Sequence, residues 1–165
     1  MATEKIAHRK TEREKAQRNI ADNRKALHDF HVLDTWEAGI ALLGTEVKAI
    51  REGSVNLRDS FARVERGEVW LLGVHVSPYS HRGYAHHDER RTRKLLLHRH
   101  EIQKLSGRVA ERGLTLVPLR MYFKDGRVKV TLALAKGKQA HDKRETIRRR
   151  EIDRETRAAI KARSR

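Results

Sequence analysis

The sequence predicts a mainly β fold with helices, a small antiparallel OB-like β-barrel flanked by two or three helices and carrying disordered basic ends. Three observations point there. Several short runs alternate apolar and polar residues, which is the period of half-buried strands. GEVWLLGVHV follows Arg66-Gly67, and MYFKDGRVKVTLAL holds Asp125-Gly126 between two β-prone runs; both are hairpin signals, because Gly tolerates the positive φ of a tight turn. The charge is segregated as well: residues 1 to 25 carry 8 basic and 4 acidic side chains, 26 to 135 carry 18 and 13, and 136 to 165 carry 12 and 5.

In chain order, the first segment has Ile6 and Ile20 as its only large aliphatic residues, too little to offset chain entropy, so residues 1–19 are expected to be disordered. HDFHVLD (28–34) and GVHVSPY (73–79) alternate as strands do. TEVKAIREG reads as a short helix with Thr45 as N-cap, Val47 and Ile50 on one face and Gly53 as its stop. In RRTRKLLLHRHEIQKLSGRVAERG, the residues Leu95, Leu96, Ile102, Leu105 and Val109 fall at roughly helical spacing and Gly113 suits a C-terminal cap, which predicts one long helix. About five to seven short antiparallel strands are best protected by closing on themselves, which removes exposed edges. The domain so defined spans 20–136. Residues 137–165 are rich in helix formers, with Glu145/Arg149 and Asp153/Arg157 at i,i+4, but Ile147, Ile152 and Ile160 form no continuous stripe. This tail is expected to be disordered alone and helical against a polyanion; a solvated helix lying on the domain is the alternative.

The composition excludes several classes. There is no cysteine, hence no disulfide and no catalytic or metal-binding thiolate. No apolar run approaches the roughly 20 residues of a membrane-spanning helix, and the N-terminus lacks the apolar stretch of a secretory signal, so a cytoplasmic protein is expected. The 38 Lys plus Arg against 22 Asp plus Glu leave a formal charge of +16. Such a field implies a polyanionic partner, nucleic acid or an anionic membrane surface; solubility alone is the bland alternative.

Ten histidines invite a metal search. The His-Glu-x-x-His motif is absent, and His28 and His31 point to opposite faces of a strand. His98 and His100, two apart on a predicted helix, diverge by about 200°. His86, His87 and Asp88 share a loop better suited to capping or RNA contact than to chemistry. No phosphate-binding loop, dinucleotide fingerprint or nucleophile elbow is present. The aromatic inventory of three Phe, three Tyr and two Trp is too small for a base-stacking platform beside a core, which favours phosphate contacts and recognition of a folded RNA by shape.

The blocks IADNRKALHDF, EAGIALLGTEVKAIREGSVNLRDSF, RTRKLLLHRHEIQKLSGR, GLTLVPLRMYF and ALAKGKQAHDKRE run in order from about Ile20 to Arg150 and closely resemble the SsrA-binding protein family, also called small protein B. The resemblance implies an OB-like barrel of six or more strands, no catalytic activity, no cofactor and no metal. It implies a partner of transfer-messenger RNA in trans-translation, a monomer when free. The barrel holds the tRNA-like domain of that RNA, and the tail folds in the empty mRNA channel near the decoding centre of a stalled ribosome. The family's RNA-facing glutamate, leucine and lysine fall on Glu37, Leu96 and Lys129, each with a bland alternative: a rim ion pair, helix core, an unremarkable strand lysine. Lys48, Arg91, Arg93 and Lys94 are weaker candidates for the same surface. In the tail, Gly137-Lys138 and Asp142-Lys143-Arg144 match the family's words, with His141 where a ring could stack on a ribosomal base and Gly137 as the flexible joint. Glu89, Phe61 and Gln139 depart from the usual proline, tyrosine and lysine. The competing classes are a metal-dependent RNA nuclease using His86, His87 and Asp88, and a permanent rRNA-binding component of the ribosome.

Overall fold

The computed structural model describes residues 17–79, 87–111 and 113–163. Among them the chain forms nine strands and four helices in the order β1 (Arg18–Asp22), α1 (Arg24–Asp29), β2 (Phe30–Ile40), α2 (Gly44–Arg51), β3 (Val55–Asn56), β4 (Phe61–Glu65), β5 (Glu68–Leu72), β6 (His75–Val76), β7 (Arg93–Leu96), α3 (Arg99–Val109), β8 (Leu114–Lys124), β9 (Arg127–Gly137) and α4 (Ala140–Arg163).

Seven strands make one antiparallel sheet in the order β1-β8-β4-β5-β7-β2-β9, and β9 also pairs with β8. Hydrogen bonding therefore runs in a ring through β8, β4, β5, β7, β2 and β9, with β1 on the outer part of β8. The two expected hairpins are present. Arg66-Gly67 (φ 52° and 75°) joins β4 to β5, and Asp125-Gly126 (φ 50° and 73°) joins β8 to β9. Both central residues of each turn have positive φ, the twist that matches two paired strands.

Inside the ring the strands alternate. Trp36, Ala38 and Ile40 of β2, Val69 and Leu71 of β5, and Val128, Val130, Leu132 and Leu134 of β9 all enter one core. The opposite face of β9 places Ala133 and Ala135 under α1, where Ala26, Val117 and Phe30 complete a second cluster. Small side chains there let the helix approach the sheet closely. Asn23 fixes the helix start: its Oδ1 accepts from Ala26 N–H at 3.1 Å, while its Nδ2 donates to Leu57 O at 2.9 Å and Pro118 O at 3.0 Å. A buried amide with all these partners ties α1, the loop before β4 and β8 together.

Several sequence expectations shift, beginning with the helix count: four helices form among the described residues where two or three were expected. The run predicted as one long helix divides: Arg93–Leu96 is strand β7, paired with β5 and β2, and the helix begins only at Arg99. HDFHVLD divides too, since His28 and Asp29 end α1 and the strand starts at Phe30. GVHVSPY retains two strand residues, His75 and Val76. The N-cap of α2 is Leu43 rather than Thr45; the Glu46 carboxylate reaches back to accept from Leu43 N–H at 2.7 Å. His98 caps α3 with extended backbone, so the helical angle does not apply, and its ring stacks on His100 at 5.6 Å and 11°. The sheet begins at Arg18, ahead of the expected boundary at Ile20, and ends at Gly137, beyond the expected Lys136. Residues 140–163 are helical, with Ile147, Ile152 and Ile160 all exposed.

Candidate nucleic-acid interface

Strand alternation builds the site. With Trp36, Ala38 and Ile40 turned inward, Glu37 and Gly39 face out from β2; with Leu95 inward, Leu96 faces out from β7; with Val128 and Val130 inward, Lys129 faces out from β9. Because β2 lies between β7 and β9, the three outward positions converge. They line an open cleft of 710 Å³ together with Arg127, His98 and Glu101. Leu96 is 52% exposed, which makes it cleft wall and excludes the helix-core alternative. Gly39 is what lets β7 come this near: a Cβ on it would stand 3.3 Å from the Leu96 Cβ.

Glu37 is held by two partners. Tyr122 Oη donates to Oε2 at 2.6 Å, and Lys124 Nζ donates to Oε1 and Oε2 at 2.8 and 2.9 Å. Partial burial by itself would raise the carboxyl, but the Lys124 and Tyr122 hydrogen bonds and the charges of Lys124 and Lys129 outweigh it and hold Glu37 below the ordinary value. Burial and the adjacent carboxylate push the Tyr122 phenol up to about 12, so it stays a donor at neutral pH. Neither Tyr122 nor Lys124 was singled out by the sequence; their two-residue spacing on the strand before Asp125-Gly126 was the available signal.

The weaker candidates separate. Lys48 is exposed with its ammonium 5.5 Å from the Tyr79 ring centroid. Lys94 pairs with Glu68. Arg91 donates from Nε and Nη2 to Glu46 at 2.8 and 2.6 Å. Arg93 leaves the surface set altogether: it is fully buried, with Nε and Nη2 on Glu46 and Nη1 on the Val74 and Arg91 carbonyls. A guanidinium with its donors consumed inside the fold has none for a phosphate.

In the tail, Gly137 is the last paired residue of β9, opposite Phe30, and Lys138 is anchored by its N–H to Asp29 O at 2.8 Å and its Nζ to Leu27 O at 3.2 Å. His141, Asp142, Lys143 and Arg144 fall on the start of α4, and Arg144 is exposed. Of the proposed nuclease residues, His86 lies outside the described residues. The His87 ring joins Thr45 Oγ1 and Val76 O, both at 3.1 Å, and Asp88 accepts from Arg90 N–H. Among the described residues no three metal-ligating side chains cluster, and no helix is long and apolar enough to cross a membrane.

A ring of hydrogen-bonded strands that displays an open cleft lined by Glu37, Glu101, Arg127 and Lys129, in a chain of formal charge +16, defines a basic β domain with one solvent-open face. A family model described as SmpB protein matches residues 20–162. The chain belongs to the SmpB family. It is 59% identical to an SsrA-binding protein of Syntrophobacter fumaroxidans over 84% of this chain and 86% of the relative, and 58% identical to one of Trichodesmium erythraeum over 88% and 94%. A solved chain described as "tmRNA-SmpB: a journey to the center of the bacterial ribosome" is 52% identical and superposes with a TM-score of 0.64, covering 78% of this chain and 94% of that one.

Proposed function

We propose that this chain is a noncatalytic adaptor that binds the tRNA-like domain of transfer-messenger RNA and delivers it to stalled ribosomes in trans-translation. The observation that carries this is the convergence of Glu37, Leu96 and Lys129, from three separate strands, on one solvent-open cleft. A lysine there neutralises backbone phosphate, and an exposed leucine packs on a base or ribose. The hydrogen-bonded ring of strands is an OB-like barrel in this proposal, and the protein works in the cytoplasm, where ribosomes translate. The basic helix α4 belongs to the tail that occupies the vacant mRNA path, hinged on the stretch after Lys138, which is held to Asp29 O and Leu27 O.

The test is binding of a transcribed tRNA-like domain by Glu37→Ala/Lys129→Ala, with circular dichroism to confirm the fold. Affinity is expected to fall by at least about tenfold at moderate salt. Wild-type affinity in the double variant removes the proposal.

A further inference from the structure

Beside the main cleft lies a second hollow of 380 Å³, at the tip of the β8–β9 hairpin, lined by Glu37, Lys124, Asp125, Arg127 and Lys129. It shares Glu37, Arg127 and Lys129 with the cleft. We propose that this hollow is a phosphate subsite of the bound RNA, with Lys124 and Arg127 as contacts additional to Lys129 and with Glu37 and Tyr122 as positioning residues that aim Lys124. The inference rests on the RNA-binding function proposed above and goes further in assigning what Glu37 does.

The geometry is specific. Both Glu37 oxygens are already engaged, one by Lys124 and the other by Lys124 and Tyr122. A carboxylate so occupied is poorly placed to take new donors from RNA. An ammonium has three protons; the two contacts of Lys124 Nζ to Glu37 leave one, in a side chain still one-third exposed. A lysine fixed in this way loses little further rotamer freedom when a phosphate arrives, whereas an unrestrained lysine must be ordered on binding. Tyr122 extends the support inward. It lies opposite Lys129 in the β8–β9 ladder, is almost wholly buried, and offers only its hydroxyl to Glu37. Arg127 faces Lys124 across the turn, is exposed, and has no ion pair among the described residues. Lys124, Arg127 and Lys129 thus bring three cations to one hollow against two carboxylates. The Asp125-Gly126 turn, with positive φ at both residues, holds the two strands of the tip in register.

The experiment is a set of Kd measurements over a salt series with the transcribed tRNA-like domain, on full-length wild type, Lys129→Ala, Lys124→Ala, Arg127→Ala, Tyr122→Phe, Glu37→Gln and Glu37→Gln/Lys124→Ala. Lys124→Ala and Arg127→Ala are each expected to weaken binding about three- to tenfold and to lower the slope of log K against log salt by about one, the mark of one lost phosphate contact. Tyr122→Phe and Glu37→Gln are expected to weaken binding about threefold with the slope unchanged, since no cation is removed. The double variant should bind no worse than Lys124→Ala, because a residue that acts through another contributes nothing once that partner is gone.

Additive losses in the double variant, or Glu37→Gln binding as well as wild type or tighter, overturn the positioning role. Unchanged affinity and slope in Lys124→Ala and Arg127→Ala, while Lys129→Ala still loses affinity, overturn the subsite and leave the RNA-binding function standing. Wild type that ignores the RNA removes both.

Discussion

Arg93 and Glu46 are both fully enclosed and meet at 2.8 Å, with Arg91 closing on the same carboxylate at 2.6 Å. The pair joins α2 to β7, the strand that carries Leu96 into the cleft. Two desolvated charges persist only when their remaining donors and acceptors are used, and here Leu43 N–H, the Val74, Arg91 and Glu89 carbonyls and Arg91 complete the set. Removing one partner strands the other. Glu46→Ala is therefore expected to cost about 3–5 kcal/mol in urea unfolding; a loss under about 1 kcal/mol contradicts the role assigned to the pair.

The same carboxylate gives stability a pH dependence. Burial alone would raise its pKa, but hydrogen bonds from Arg91, Leu43 N–H and Arg93 and the Arg93 charge prevail and hold it below 4.5. A group depressed in the folded state contributes stability that is complete above its unfolded pKa and disappears as pH falls through the folded value. Urea midpoints compared at about pH 7 and about pH 3 should fall further on acidification for wild type than for Glu46→Gln. Equal falls would place the acid sensitivity elsewhere.

Asn23→Ala leaves Leu57 O and Pro118 O without their buried donor and takes the cap from Ala26 N–H. The expected loss is about 2–4 kcal/mol by thermal or urea unfolding. Arg24→Ala, exposed on the same helix, serves as a control with an effect within about 0.5 kcal/mol.

Gly39→Val forces a branched side chain against the Leu96 Cβ, where even one methyl would sit at 3.3 Å. Leu96 must move into the cleft, and RNA affinity is expected to drop about tenfold with the fold retained. Gly44→Ala, whose added Cβ meets nothing within 4 Å, should leave affinity unchanged.

Truncation after Gln139 keeps the Gly137–Phe30 pairing and the Lys138 anchors, so stability and RNA affinity should stay close to wild type while tagging on stalled ribosomes is abolished. Truncation after Lys136 removes those bonds and should cost about 1–2 kcal/mol more. Tagging by the chain that ends at Gln139 would contradict the function given to the tail.

Much of this was legible because it is local. Arg66-Gly67 and Asp125-Gly126 announce hairpins through the backbone freedom of two adjacent residues, and TEVKAIR announces a helix through its own periodicity. The outward placement of Glu37 and Lys129 also follows from alternation with the apolar residues on either side. Ownership of Leu95 and Leu96 was not local. Their spacing to Ile102 and Leu105 suits a helix equally well, but Leu95 lies opposite both Val69 and Ile40, and sheet pairing on both sides outweighs a weak helical preference.

Length, a charge of +16 at pH 7 without cysteine, two tight turns and the family words were determined by the order of residues alone. Which cations are free to meet a polyanion was decided only by the fold. Arg91, Arg93 and Lys94 look alike in sequence, and what separates them is the distant acid each one meets: Glu46 for the two arginines, Glu68 for the lysine. Charge is a property of a side chain, but its availability depends on what the closed chain places beside it, and no local pattern carries that information.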